Sequence, residues 1–393
     1  MSEKNTLSFN NTEIAFRGKS DKELSLAHIL FRLINNSILV NLGSILVKAA
    51  LKLHIPIKQL IKTTLFKQFI GGESLNDCDK TIDKLYEFKI GSILDYSVEG
   101  KKTEKEFIRV MEEIIKTILK AKDNPKIPFS VFKVTGIAPQ NLLEKVSRKG
   151  SLTDDEKTAF QNVKARVDQI CKAAYDNHVR ILIDAEESWM QNAIDNMAVE
   201  MMEKYNKEKA IVYHTLQMYR QDRVAFLIEA HARAVLKEYR LGIKLVRGAY
   251  MEKEAKRADK MGYNSPIHLS KKDTDTDFNV ALRFCLKHVN RIALCAGTHN
   301  EESTLLLIQL MDEIKLDRNH EHVFFAQLLG MSDHITYNLT NAGYNAVKYV
   351  PYGPVKEVMP YLIRRAHENN AIVGQMSREL SLITAEIERR KKK

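Results

Sequence analysis

From Asp21 to about residue 120, apolar side chains recur every three or four positions, the spacing of one buried face of an α-helix. The runs "ELSLAHILFRLINN" (Glu23–Asn36), "ILVNLGSILVKAALKLHI" (Ile38–Ile55) and "EFIRVMEEIIKTILKAK" (Glu106–Lys122) follow it, and Gly71, Gly72 and Gly100 punctuate them. From Ile127 the texture changes. Short runs rich in β-branched and aromatic residues now alternate with helical stretches. They are "FSVFKVT" (Phe129–Thr135), "VRILIDAEE" (Val179–Glu187), "KAIVYHTLQ" (Lys209–Gln217), "GIKLVRGAY" (Gly242–Tyr250), "RIALCAGTHN" (Arg291–Asn300), "HVFFAQLLG" (His322–Gly330) and "NAVKYVPYG" (Asn345–Gly353). Strands separated by helices build βα units, hence a parallel sheet covered by helices. Counting the irregular segment "HLSKKDTDTD" (His268–Asp277) as an eighth strand predicts an α/β fold of (β/α)8 TIM type over residues 126–393, preceded by a helical region over residues 1–125.

Each β-rich run starts apolar and ends polar. Lys133, Asp184 with Glu186 and Glu187, Gln217, Lys244 with Arg247, Thr298 with His299, Gln327 and Tyr349 stand at or near the C-terminal ends. Barrel active sites form at that face, and so do the ligand crevices of doubly wound sheets, so the pattern locates a site under either topology.

The last strand run feeds a turn, "VPYGP" (Val350–Pro354), and then an amphipathic helix. At 100° per residue, Val355, Val358, Met359, Leu362, Ile363 and Ala366 form its apolar stripe. Arg364 points almost opposite, Arg365 sits at the edge, and Tyr361 and Glu368 fall on the polar side. One reading is a solvated face with Arg364–Glu368 and Arg365–Glu368 pairs, each stabilising by roughly 0.2–0.5 kcal/mol. The other is a two-pronged guanidinium clamp for a carboxylate or phosphate.

Composition narrows the class. The chain has 393 residues, is 44% hydrophobic and carries a net charge of +11, which suits anionic ligands or an anionic membrane surface. The charge is spread along the chain, apart from "ERRKKK" at the C-terminus, which reads as a solubilising tail; nucleic acid is not expected as a partner. The four cysteines include no C-x-x-C, so a reduced compartment is expected. The start, "MSEKNTLSFNNTE", is polar and has no secretory signal. The uncharged run Leu33–Val47 is only 15 residues long and holds three asparagines, too short and polar to span a bilayer.

Several signatures are missing: G-x-G-x-x-G, a P-loop, H-E-x-x-H and G-x-S-x-G do not occur. A nucleotide cofactor would therefore be held at a barrel rim. In "LIDAEES", Asp184 and Glu186 project to the same side of their strand. Two such carboxylates could bind a divalent metal, form an acid/base pair, or pair with nearby lysines and arginines. A metal-dependent barrel lyase or hydrolase acting through Asp184, Glu186 and His299 on a small carboxylate or phosphate is the alternative enzyme class. Cys295 reads as a small apolar packing residue.

The segments "FKVTGIAP", "ILIDAEES", "TLQMYRQDR", "KLVRGAYMEKEAKRADKMGY", "THNEES", "FAQLLGMSD" and "NAGYNAVKYVPYGPVKEVMPYLIRRAHENN" occur in this order in proline dehydrogenases, and over roughly residues 127–375 the chain resembles their stand-alone, mitochondrial-type branch. The resemblance implies a distorted (β/α)8 barrel that holds FAD non-covalently. It implies oxidation of L-proline to Δ1-pyrroline-5-carboxylate, with electrons passed to a membrane quinone and peripheral contact with the membrane. Without an Arg/Ser-rich leader, the expected place is the inner face of a bacterial cytoplasmic membrane, or the mitochondrial matrix side in a eukaryote. By resemblance, Arg364 and Arg365 grip the proline carboxylate, Lys133 assists, Tyr349 packs on the ring, and Tyr250 and Leu328 line the site. Asp184 matches the active-site aspartate and Lys244 a catalytic cation close to the reactive flavin nitrogen. Ala185, Gln217, Lys244, Val246, Arg247, Gly248, Thr298, His299 and Glu368 are the expected FAD contacts. Three positions depart from common bacterial relatives. Lys244 replaces an arginine, Arg247 replaces a lysine, and Met251 stands where some relatives stack a tryptophan on adenine.

Overall fold

The computed structural model describes residues 7–36, 40, 43, 58–98, 101–371 and 375–392. The expected helical run Ile38–Ile55 therefore lies outside the described residues, apart from Val40 and Gly43. The chain begins with α1 (Thr12–Phe16), α2 (Asp21–Ile34), a helical stretch over residues 58–69, α3 (Asp79–Tyr86), β1 (Gly91–Tyr96), α4 (Glu104–Ala121) and β2 (Phe129–Phe132). There follow α5 (Gln140–Ser147), α6 (Asp154–Asp176), β3 (Arg180–Ile183), α7 (Ser188–Tyr205), β4 (Val212–Gln217), α8 (Arg223–Leu236), β5 (Leu241–Val246), α9 (Met251–Met261) and α10 (Lys271–Lys287). The last elements are β6 (Ile292–Gly297), α11 (Glu301–Glu313), β7 (Val323–Leu328), α12 (Asp333–Asn341), β8 (Ala346–Tyr352), α13 (Val355–Ala371) and α14 (Gln375–Lys391).

The eight strands close a parallel barrel in sequence order, the (β/α)8 architecture. Seven of the expected strands are β2 to β8. The eighth is not His268–Asp277. That segment enters α10, where Ser270 accepts a hydrogen bond from the Asp273 amide and Phe278, Ala281, Leu282 and Cys285 are buried at helical spacing. The missing strand is β1, inside the stretch expected to be helical throughout. Its run is short, but Ile90, Ile93 and Leu94 have no exposed surface, and Lys89, with φ of 60°, turns the chain into it from α3. The helical run "EFIRVMEEIIKTILKAK" is thus α4, the crossover between β1 and β2, started by a capping box of Thr103 and Glu106.

By packing, the chain divides into two compact units, Met1–Ser92 with His299–Glu301 and Ala326–Lys393, and Ile93–Thr298 with Glu302–Phe325. In the second, strand side chains fill the interior edge to face: the Phe129 ring lies 5.3 Å from Tyr213 and 4.9 Å from Phe324. In the first, α2, α13 and α14 share one apolar cluster that includes Leu24, Phe31, Val358, Leu362, Leu382 and Ile383. Tyr361 belongs to this cluster too, although the helical wheel put it on the polar face. The basic C-terminus is also more than a solubilising tail. Arg389 and Arg390 both pair with Glu386, and Arg390 donates to the carbonyls of Phe16 and Lys19 and to Asp21.

Candidate active site

The strand ends of the unit Ile93–Thr298 gather charge in a mostly buried setting. Asp184 follows β3 and Lys244 lies within β5. Their side chains meet at 2.5 Å with only 12% and 6% exposure, and Thr215 of β4 lies 3.4 Å from the same carboxylate. Burial strengthens such a pair by removing water's screening. Lys133, directly after β2, stands 3.7 Å from Asp95 of β1, which also accepts a short hydrogen bond from Ser97. Asp95 escaped the sequence reading because β1 did; the run "SILD", ending in a carboxylate, was the available signal.

Glu186 and Asp184 do not act as a pair. Glu186 accepts from the Thr135 amide at 3.0 Å and from the Thr135 hydroxyl, whereas Asp184 engages Lys244. Burial pushes the Glu186 carboxyl up to about 7, against the lowering effect of Thr135. Ala185, between the two carboxylates, is buried. Gln217 ends β4 with both ends of its amide engaged. Nε2 donates to the Glu186 carbonyl at 2.7 Å, and Oε1 accepts from the Ala249 amide at 3.2 Å.

The loop after β5 is polar and tightly folded. Arg247 reaches Asp275 at 2.5 Å, Thr298 Oγ1 at 2.6 Å and Ser303 Oγ at 2.9 Å, with its guanidinium 4.4 Å from the Phe278 ring centroid. Burial lowers its pKa, which a guanidinium tolerates while staying charged. Gly248 has φ of 137°, and a Cβ there would come within 2.5 Å of the Tyr219 ring, so only glycine fits. Val246 ends β5 itself, and Tyr250, just before α9, is 9% exposed with the Lys253 ammonium 5.3 Å from its ring. Met251 is half exposed at the start of α9.

The other unit holds the remaining expected residues. Tyr349 of β8 is largely buried, and Leu328 ends β7. His299 Nδ1 lies 2.9 Å from the Ser332 hydroxyl, and Nε2 lies 3.5 Å from the Leu328 amide. Ser332, in a left-handed conformation with φ of 51°, is fixed in turn by its amide, 2.9 Å from both oxygens of Glu379 on α14. Lys348 of β8, fully buried, binds Asp333 at 2.8 Å and the Met331 carbonyl at 2.5 Å. Burial works against the Asp333 charge, but Lys348 and Lys19 outweigh it and hold the carboxyl far below its usual range. The segment Leu328–Asp333 is therefore clamped from two elements, an arrangement no local sequence pattern announces. On α13, Arg364 and Arg365 are part exposed, and the Arg365 guanidinium sits 5.1 Å from the Tyr361 ring centroid. The Glu368 side chain lies outside the described residues. Among the described residues no three His, Cys, Asp or Glu side chains gather as a metal site. Within the unit Ile93–Thr298, Lys133, Lys244 and Arg247 are largely buried cations at the strand ends, a chemistry suited to anionic groups.

A model of the proline dehydrogenase family matches residues 78–378. This chain belongs to the proline dehydrogenase family. It is 34% identical to the mitochondrial proline dehydrogenase 1 of Dictyostelium discoideum over 379 residues, covering 85% of this chain and 66% of that protein. It is 32% identical to the carbapenem antibiotics biosynthesis protein CarD of Pectobacterium carotovorum, covering 82% and 83% of the two chains. Among solved structures, proline utilization A of Bdellovibrio bacteriovorus, inactivated by N-propargylglycine, superposes with a TM-score of 0.72 at 18% identity. That fit spans 96% of this chain and 40% of the other, and shows the same barrel fold.

Proposed function

We propose that this chain is a flavoenzyme that oxidises L-proline to Δ1-pyrroline-5-carboxylate and passes the electrons to a membrane quinone. The observation that carries it is the family match over residues 78–378, which spans every residue proposed to touch substrate or cofactor. The chemistry of the donor set supports FAD as cofactor. Arg247, Thr298 and Ser303 suit a diphosphate, and Gln217, a buried amide at a strand end, suits a flavin edge. Ala185, Val246, His299 and Glu368 complete the proposed cofactor contacts. When bound, FAD supplies the hydride acceptor.

The protein's own residues orient and stabilise. Arg364 and Arg365 bind the substrate carboxylate, and Lys133 adds a third cation for it. Tyr349 packs on the proline ring, with Tyr250 and Leu328 lining the site; this pose presents the carbon beside the ring nitrogen. That carbon gives up hydride and the nitrogen gives up a proton, leaving the C=N bond of the product. Lys244 favours the negative charge of the reduced cofactor, and Asp184, 2.5 Å away, fixes its ammonium. Peripheral contact with the quinone-bearing membrane accompanies this role. Among the described residues no helix is long and apolar enough to cross a membrane. A metal-dependent lyase or hydrolase has less support, because Asp184 and Glu186 are committed to Lys244 and Thr135. The test is whether the FAD-loaded protein converts L-proline to the imine, detected by mass spectrometry, and whether proline bleaches the flavin.

A further inference from the structure

We propose that Glu186 is a positioning residue that sets Lys133 for the substrate carboxylate, acting through the turn Val134–Gly136. This rests on the functional reading above, in which Lys133 is a substrate cation. Lysine carries its charge on a flexible four-carbon stem, so its aim depends on how firmly its backbone is held. Asp95 stands 3.7 Å from that ammonium. The backbone is held by a turn of its own. Lys133 opens a single 3-10 turn in which its carbonyl accepts from the Gly136 amide at 3.1 Å and the Val134 carbonyl from the Ile137 amide at 3.0 Å.

Thr135 is the middle of that turn, and Glu186 anchors it twice. One carboxylate oxygen takes the Thr135 amide at 3.0 Å and the other takes the Thr135 hydroxyl. The Glu186 side chain is nearly fully buried, so these bonds form away from competing water. Each oxygen thus accepts from Thr135, and Lys133 itself lies close enough to act on the carboxylate's charge, so Glu186 braces the turn on the side of that lysine. The Glu186 main chain is tied separately. Its amide donates to Gln191 Oε1 at 2.7 Å and its carbonyl accepts from Gln217 at 2.7 Å. Changing the side chain therefore alters the hold on Thr135 and Lys133 while leaving the Gln217 bond in place.

The experiment compares the FAD-loaded wild type with Glu186→Gln, Thr135→Val and Thr135→Ser, taking Lys133→Met as the reference for full loss of the cation. Steady-state rates with L-proline and an artificial electron acceptor give KM and kcat. Acetylation of Lys133 by acetic anhydride, read by mass spectrometry, reports on the lysine without reference to turnover. The expected result for Glu186→Gln and Thr135→Val is a KM raised about tenfold with kcat within about twofold, unchanged FAD content and faster Lys133 acetylation. Thr135→Ser keeps both donors and returns KM to within about twofold of wild type. Unchanged KM and acetylation in both variants would overturn the proposal. So would a joint fall of kcat, FAD content and melting temperature that Thr135→Ser does not reverse, since that marks a purely structural role. If the wild type oxidises no proline, the functional reading fails, and the acetylation rates alone decide whether Glu186 sets Lys133.

Discussion

Arg365 stacks its guanidinium 5.1 Å from the Tyr361 ring centroid, so part of its side-chain freedom is already restrained before a ligand arrives. A pre-ordered guanidinium suits bidentate carboxylate binding, and Arg365→Met should raise the L-proline KM by roughly 10–100-fold with FAD still bound. Steady-state kinetics beside the flavin absorbance check this; a colourless or unfolded variant would speak against the clamp. Glu186 gives a second residue-scale expectation. Its folded pKa, about 7, exceeds the ordinary 4.5, so the native state binds the extra proton. Its contribution to stability is greatest below pH 4.5, declines as pH rises toward about 7, and is constant above that. Melting temperatures measured from pH 5 to 8 should therefore fall less steeply in Glu186→Gln than in wild type. An equal slope in both would show that this carboxyl does not titrate there. At this scale the strand-end residues were legible, because the switch from apolar to polar marks where a strand leaves the core. Asp95 was not, because β1 itself was missed, and Ser332 and Glu379 were not, since their partners are distant in sequence and no periodicity encodes such pairs.

The helices α2, α13 and α14 hold together through side chains that belong to one cluster, and Ile383 is almost wholly buried within it. Ile383→Ala should lower stability by about 2–5 kcal/mol, the usual range for emptying a core position of this size. Urea unfolding measures it, and a loss under about 0.5 kcal/mol would mean α14 is not packed as described. Element boundaries show where pattern reading succeeds and where it fails. Long strands such as "KAIVYHTLQ" stood out because buried parallel strands are continuous apolar runs. β1 was absorbed into its helical surroundings because its run is short and flanked by amphipathic helices. His268–Asp277 was counted to complete eight, yet its Ser-Lys-Lys-Asp start is a helix N-terminus. The wheel for α13 placed Tyr361 by angle alone, whereas a phenol ring is large and apolar enough to be drawn into the adjoining cluster.

For the whole molecule, the alternation of strand and helix was enough to anticipate the barrel, and the ordered motifs were enough to anticipate the family. The net charge of +11 agrees with a surface for anionic ligands or lipids, but its distribution in space could not be read from the chain. The central claim is that this barrel holds FAD and uses it to oxidise proline. The most direct measurement is an anaerobic absorption spectrum of the purified protein, recorded before and after L-proline is added. A flavin spectrum that bleaches on addition of L-proline, with the imine product formed, is the expected result. A colourless protein that takes up no FAD, or a flavin spectrum untouched by L-proline, would contradict it.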